Sequence, residues 1–408
     1  MSEPVQPVIP VHPAPVRALV VTLAVQTLAA MAQQTPVVLA VVLAAMLGIG
    51  AEKIGFFTGL VYLMALTSGL ILSTRIAQFG AVRFSQLSMV SCAFGLFAVA
   101  VGSIHLLIVA ALLLGVGYGL ANPTAAVILG QHAPVNNRGL YFSLKQTGVP
   151  LGIALCGLLV PSLLSLWGLR GAALSVAAIC LLCAALLQPT VARFDRPTGV
   201  NTSRGNSLLA PLQKILAMPG LRRLGMVSFA YAAAQVCFLT FLVVYLTTER
   251  SMSLVIAAST LAAGQAASVV GRPFWGWVAD RWGNPALILG CLGPVMGVAF
   301  VVLALLPEHA GTYTAYLAAM FCAATAVAWN GVFYAELVNQ ADASTLAEVT
   351  GGVQALTFAG AMTGPIVFSL AVSVTQSYQW VFLALAVLPT VVGVIALLNI
   401  RKPAPVIN

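Results

Sequence analysis

The chain has 408 residues, of which 61% are hydrophobic and only 7% are charged. Soluble domains carry about 25% charged residues, and a soluble protein with so few charges would expose enough apolar surface to aggregate. This composition excludes a cytosolic enzyme. Because one membrane-spanning helix needs about 20 apolar residues, the chain can supply about twelve spans, with no room for a large soluble domain.

The first segment, residues 1–16, contains five prolines and no Lys or Arg, so it does not fit a signal peptide. We expect a short disordered tail there. The apolar runs that follow are bounded by charges, glycines and prolines, and alternating strand-like periodicity is absent. They predict twelve transmembrane helices at 17–40, 53–76, 83–103, 105–130, 139–165, 169–189, 224–247, 253–279, 285–306, 312–335, 347–373 and 378–399.

One long polar interval, residues 191–223, separates six predicted spans from the next six. The predicted fold is an all-α membrane protein with an N-terminal six-helix bundle at 17–190, a linker at 191–223, a C-terminal six-helix bundle at 224–400 and a tail at 401–408. The two bundles should be pseudo-symmetric. Gly80 and Gly283 stand at equivalent places of the two halves, as do Asn122 and Asn330, which is the pattern of an internal duplication.

The net charge of +9 reflects membrane orientation rather than a nucleic-acid surface, because the basic residues are not clustered. With the N-terminus in the cytoplasm, thirteen Lys and Arg residues fall inside and three, namely Lys53, Arg170 and Arg250, fall outside. Cytoplasmic loops of membrane proteins are enriched in Lys and Arg. We therefore expect both termini and the linker to be cytoplasmic in a cell (inner) membrane protein.

The stretch GWVADRWG, from Gly276 to Gly283, is the most specific motif of the chain. It resembles the GxxxDRxG loop signature of the major facilitator superfamily of secondary transporters. The resemblance covers essentially the whole chain and implies the two-bundle fold, alternating access and a monomer. In the first half the signature is degraded, since Ala77 and Gln78 stand at the Asp and Arg positions.

The signature residues Gly276, Asp280, Arg281 and Gly283 are gating candidates. The glycines would permit close helix packing and a tight turn. The charged pair could contact a neighbouring helix end and stabilise one conformation. The alternative is that the pair only contributes to membrane orientation.

Ionisable residues inside the membrane are costly to insert and usually face a cavity or a partner. Arg272 and Lys145 are the two basic candidates. GRPFWG, from Gly271 to Gly276, resembles the eighth span of monocarboxylate and oxalate carriers, which implies that Arg272 binds a substrate carboxylate. Those carriers often have an acid one turn earlier, where this chain has Ser268. The alternatives are that Arg272 reaches the membrane edge and that Lys145 lies at the interface.

Uncharged polar side chains within the spans are further substrate-binding candidates, and the alternative is that they only join helices. They are Gln26, Gln33, Gln34, Asn122, Gln146, Gln235, Gln265, Asn330, Tyr334 and Gln354. Among the acids, Glu336 is a candidate proton-coupling residue, and its alternative is a solvated loop position.

The leading function is a carrier of a small organic anion, such as a carboxylate, that is driven by protons or by exchange. The alternative is a drug exporter. Such exporters usually carry an arginine where this chain has Ala111, and a GPxxGG pattern where it has GVPLG. A membrane-embedded enzyme or receptor is a remote alternative, because no catalytic motif or His/Cys cluster is present. No cofactor, metal or nucleic-acid partner is predicted; the partners are a small-molecule substrate, the bilayer and coupling protons.

Overall fold

The structure is a computed structural model that describes residues 14–73, 75–134, 137–195, 215, 217–309, 311–340 and 346–400. Most of the expected tail 1–16, most of the linker and the whole of the tail 401–408 lie outside these residues. Every regular element in the described part of the chain is helical. This confirms the predicted all-α membrane fold.

The N-terminal bundle contains spans 1 to 6. Spans 1 to 4 are Ala14–Val38 with its extension Ala40–Leu47, then Ile54–Ser73, Ala81–Val101 and Ile104–His132. Spans 5 and 6 are formed together by Arg138–Gln146 and the long helix Gly148–Phe194. The C-terminal bundle contains spans 7 to 12. They are Pro219–Thr248, Leu254–Trp282, Pro285–Ala304, Thr312–Ala326 with Asn330–Gln340, Leu346–Thr375 and Tyr378–Leu398.

The stretch Leu140–Phe194 has 55 residues and makes two of these spans. At about 1.5 Å per residue it would be about 80 Å long if straight, whereas the hydrocarbon core is about 30 Å thick. It breaks at Gly168, whose φ of 66° and ψ of −176° are not helical. Glycine adopts positive φ without a steric penalty. The eleven apolar helical segments of the described residues therefore give twelve crossings.

Several predicted boundaries differ from the observed ones, and three of these differences involve a proline. The first helix begins at Ala14 rather than at 17, with Pro15 in its first turn, where a missing N–H costs nothing. The sixth span continues through Pro189 to Phe194, because membrane helices tolerate proline when neighbours compensate the freed backbone. The seventh span begins at Pro219, earlier than the predicted 224.

Small residues bring the helices of each bundle together. A Cβ on Gly119 of span 4 would overlap the carbonyl oxygen of Ala65 in span 2, and a Cβ on Gly360 of span 11 would overlap that of Phe229 in span 7. Lipid provides little hydrophobic driving force between helices, so close backbone contact supplies much of their association. The two bundles are thus packed on the same principle.

The two bundles contact each other at the end of the molecule that carries residues 48–53. There the Gln34 amide donates to the carbonyl oxygen of Leu239 at 2.9 Å, and the Ser369 hydroxyl donates to that of Glu52 at 2.7 Å. We call this side of the molecule the closed end. These two hydrogen bonds hold the bundles together at the closed end.

Candidate functional site

Lys145 is a buried basic residue in span 5, and only 2% of it is exposed. Its ammonium group donates to Oε1 of Gln26 in span 1 at 2.6 Å and to Oδ1 of Asn122 in span 4. Both acceptors are neutral amides. An ammonium group has three donors, and no carboxylate lies within 4.0 Å of this one among the described residues.

Arg272 is half-buried in span 8, on the other side of the bundle interface. Its Nη1 donates to the carbonyl oxygen of Gln146 at 3.2 Å, and its Nε has no partner within the described part of the chain. Because Gln146 follows Lys145 directly, this contact brings the cationic residue of each bundle to the same region. Within the described residues, the one ion pair within 4.0 Å joins Lys53 and Glu52, so neither central cation is neutralised there.

Aromatic rings extend this region across the interface. Tyr62 meets Tyr118 edge-on with ring centroids 5.9 Å apart, and it meets Phe358 of the other bundle at 6.1 Å. Tyr118 is close enough to Arg272 for an electrostatic interaction. The sequence analysis did not name these rings. The available signal was Tyr118 itself, a phenol among glycines in an apolar span.

Three predicted residues of the C-terminal bundle lie on spans 10 and 11. The exposed Tyr334 donates its hydroxyl proton to Oε1 of Gln354 at 3.0 Å, which joins the two spans. Asn330 lies where span 10 is interrupted, and its amide donates to the carbonyl oxygen of Val327 at 3.4 Å. Asn330 therefore does not repeat the contact that Asn122 makes with Lys145, although the two occupy equivalent spans.

Two predicted glutamines belong to the other end of span 1. Gln34 forms part of the contact that joins the bundles at the closed end. Its neighbour Gln33 is buried, with 5% of its side chain exposed. The structure thus separates Gln34 from the cluster around Lys145 and assigns it a contact between the bundles.

Glu336 is buried in the last part of span 10, where 8% of it is exposed. Its carboxylate accepts a hydrogen bond from Gln340 one turn later at 2.5 Å. The solvated alternative considered for this residue does not fit that burial.

The signature residues end span 8. Gly283 has a φ of 61°, and its N–H donates to the carbonyl oxygen of Asp280 at 3.3 Å, which closes a tight turn. Asp280 and Arg281 are exposed. No atom lies within 4 Å of the Cβ position of Gly276, so the close helix contact expected at that glycine is not found in this conformation.

An apolar pocket of about 380 Å³ lies elsewhere, beside the closed end of spans 1, 2 and 4. Its lining includes Pro36, Leu43, Phe57 and Ile108, with Lys53 as its charged member. None of the predicted substrate-binding residues lines it. The polar region around Lys145 and Arg272 is therefore a better candidate site, because it offers groups that can orient a polar substrate.

Comparison with known proteins agrees with this fold. A bacterial homologue of the human lysosomal transporter Spinster, solved inward-facing and unoccupied, aligns with a TM-score of 0.79 and 16% identity over 96% of this chain and 100% of its own. A POT family transporter in complex with 5-aminolevulinic acid aligns with a TM-score of 0.76 and 13% identity over 94% and 96%. No curated protein sequence matches. The Major Facilitator Superfamily family model matches residues 22–345, and the chain therefore belongs to the major facilitator superfamily of transporters.

Proposed function

We propose that this transporter carries a small organic anion, such as a carboxylate, by alternating access between its two bundles. The observation that carries the proposal is that Arg272 of one bundle bonds the backbone next to Lys145 of the other, with no ion-pair partner for either residue among the described side chains. A guanidinium offers a planar pair of donors that matches a carboxylate, and an ammonium adds a compact charge. An anion between them would satisfy both.

The distribution of Lys and Arg supports an orientation for this carrier. Thirteen basic residues fall on the side of the linker and termini, against three on the opposite side, so the linker side should be cytoplasmic. Residues 48–53 then face outward. The closed end would accordingly shield the site from outside, in a protein of the cell (inner) membrane with both termini in the cytoplasm.

Binding at this place could drive the conformational change. An anion held between Lys145 and Arg272 would contact both bundles at once, and the charge of each cation would be compensated during reorientation. Empty, the site would have to close around two unneutralised charges, which is unfavourable. The driving force is either exchange or coupled protons, with Glu336 as the candidate proton site, and we expect a monomer to carry out the full cycle.

Uptake into proteoliposomes tests the proposal. Wild-type protein should accumulate at least one labelled compound from a panel of small carboxylates. Arg272→Ala should reduce this uptake at least tenfold, because it removes the paired donors of the site. Arg170→Ala is the matched control, since Arg170 is an exposed arginine outside the site. Absence of carboxylate uptake by the wild type, or full uptake by Arg272→Ala, would contradict the proposal.

A drug-resistance assay examines the alternative. If the chain exported amphiphilic drugs, a host that expresses it would tolerate cationic dyes better than a host without it. We expect no such resistance, because a site with two unneutralised cations repels cationic compounds.

A further inference from the structure

Gln265 is a fully buried amide in span 8, with 0% of it exposed. Neither its Oε1 nor its Nε2 has a hydrogen-bond partner among the residues that the structure describes. Buried polar side chains are almost always paired, and each exception calls for an explanation. This one leaves a donor and an acceptor unused in the middle of a membrane helix.

Some other amides of the described chain are fully paired or form a hydrogen bond between helices. Gln34 donates to a backbone oxygen, and Gln86 donates to Oε1 of Gln188 and to the carbonyl oxygen of Ala184. The other buried side-chain atoms without a partner among the described residues are Nε2 of Gln26 and Nε of Arg272 in the candidate site, and Nε of Arg250 and Oε1 of Gln340 away from it. The unused donors therefore include groups of the candidate site in both bundles.

The position of Gln265 connects it with that site. Gln265 precedes Arg272 by seven residues, which is two helical turns, so both lie on one face about 10 Å apart along the axis. Side chains of a helix lean toward its N-terminus. We therefore expect the Arg272 side chain to lean toward Gln265, and the Gln265 side chain to lean in the same direction, toward the closed end.

The same face of span 8 meets span 5 of the other bundle on both sides of Gln265. Toward the closed end, a Cβ on Gly157 would overlap the carbonyl oxygen of Ala258, seven residues before Gln265. In the other direction, Arg272 bonds the backbone of Gln146. Gln265 thus lies on the interface between the bundles, and this interface has to open when a carrier changes its accessible side.

We infer that Gln265 binds a hydroxyl group of the transported anion whose carboxylate lies at Arg272. A hydroxyl can donate to Oε1 and accept from Nε2, so it would satisfy both unused atoms at once. A methylene at the same place would satisfy neither. The inference rests on the proposed function and narrows it: the preferred substrates are hydroxycarboxylates, and Gln265 determines that specificity.

Matched pairs of substrates test this role. Labelled hydroxy acids and their deoxy analogues, namely lactate and propionate, malate and succinate, and 3-hydroxybutyrate and butyrate, are compared by their kcat/KM for uptake into proteoliposomes. For the best-transported pair, wild type should favour the hydroxy acid by about tenfold or more, because a site built for a hydroxyl rejects the analogue that lacks it.

Gln265→Leu should bring that ratio close to one while it retains uptake of the deoxy analogue. Gln86→Leu is the control, because it removes an amide that is paired within the N-terminal bundle, and it should keep the wild-type ratio. Gln265→Met serves as the second variant if leucine impairs folding, which size-exclusion chromatography and the melting temperature report. A purely structural amide would change the amount of folded protein without changing the ratio.

The outcomes separate the two proposals. If wild type transports carboxylates without a hydroxyl preference, or if Gln265→Leu and Gln265→Met keep that preference, the role of Gln265 is overturned and the anion carrier stands. If wild type transports no carboxylate at all, both proposals fall.

Discussion

A single residue, Lys145, carries the largest electrostatic cost of the candidate site. Insertion scales give about 2.5 to 3.5 kcal/mol for a charged residue at the centre of a membrane helix. The two amide oxygens of Gln26 and Asn122 compensate part of this cost. A carboxylate would have compensated more, and the chain offers none at this place among the described residues, so selection for binding explains the lysine better than selection for stability.

Lys145→Met should therefore abolish anion uptake without unfolding the protein. The substitution removes the buried charge, but it leaves two amide oxygens without a donor, each at a cost of about 1 to 3 kcal/mol. Because these contributions oppose each other, we expect the free energy of unfolding to change by less than about 2 kcal/mol. Uptake assays and thermal denaturation in detergent measure both effects. Unchanged uptake would show that Lys145 only joins helices.

At the scale of elements, Asp195 fastens the end of span 6 to the beginning of span 3. Its carboxylate accepts hydrogen bonds from the backbone N–H groups of Val82 and Arg83 at 2.8 and 3.0 Å. Gly80, with a φ of 103°, allows this approach, since a Cβ there would overlap the carboxyl group. The N-terminal bundle thus retains an acid at the degraded signature loop, although it comes from another span.

Asp195→Ala should lower the free energy of unfolding by about 1 kcal/mol, the usual loss when a helix-capping side chain is removed. Asp195→Asn keeps one acceptor and should lose less. Thermal denaturation in detergent checks the expected order of stability, in which wild type is the most stable, Asp195→Asn is intermediate and Asp195→Ala is the least stable. Equal stability of wild type and Asp195→Ala would show that the cap contributes nothing.

Arg250 joins three spans at the closed end of the C-terminal bundle. It is 6% exposed, and its Nη2 donates to the carbonyl oxygen of Ala304 at 3.1 Å and to Oε1 of Gln379 at 3.0 Å. Its guanidinium also lies 4.9 Å from the ring centre of Tyr245. Spans 7, 9 and 12 are therefore connected through one side chain.

Arg250→Ala should destabilise the protein by about 2 kcal/mol or more, because hydrogen bonds from a charged donor contribute about 1.5 to 3 kcal/mol each. Arg250→Lys should be more stable than Arg250→Ala but less stable than wild type, since an ammonium lacks the planar set of donors. The melting temperature reports the loss. The ratio of uptake between different carboxylates should not change, and a changed ratio would place Arg250 in the substrate pathway instead.

At the scale of the whole molecule, alternating access requires the closed end to separate. Lys53 and Ser373, from opposite bundles, approach there with Nζ and Oγ 3.5 Å apart. A covalent link between these positions should hold the bundles together. It would leave each bundle intact, so only the conformational change would be prevented.

The double variant Lys53→Cys and Ser373→Cys, joined by a short reducible cross-linker, should lose transport and recover it after reduction. Each single variant under the same treatment is the control, because six of the seven native cysteines are buried. Transport that continues in the fully cross-linked protein would show that this end does not need to open.

The sequence alone determined the class of this protein. Scarcity of charge, the number of apolar runs and the GWVADRWG motif predicted a twelve-span transporter of two bundles, which the structure and the family match confirm. These properties are local and compositional, since each span needs only its own length and hydrophobicity to enter a membrane. The predicted positions of the helix ends were less accurate, because prolines such as Pro189 do not always end a membrane helix.

Only the tertiary structure decided which polar residues of different spans contact one another. In the structure, Lys145 contacts Gln26 and Asn122, and Arg272 contacts the backbone beside that lysine. Gln34 lies apart from them, at the closed end. The residues in each contact are 23 to 205 positions apart in the chain. No periodicity within a span encodes such pairs, because they depend on how helices rotate and cross when their small residues pack.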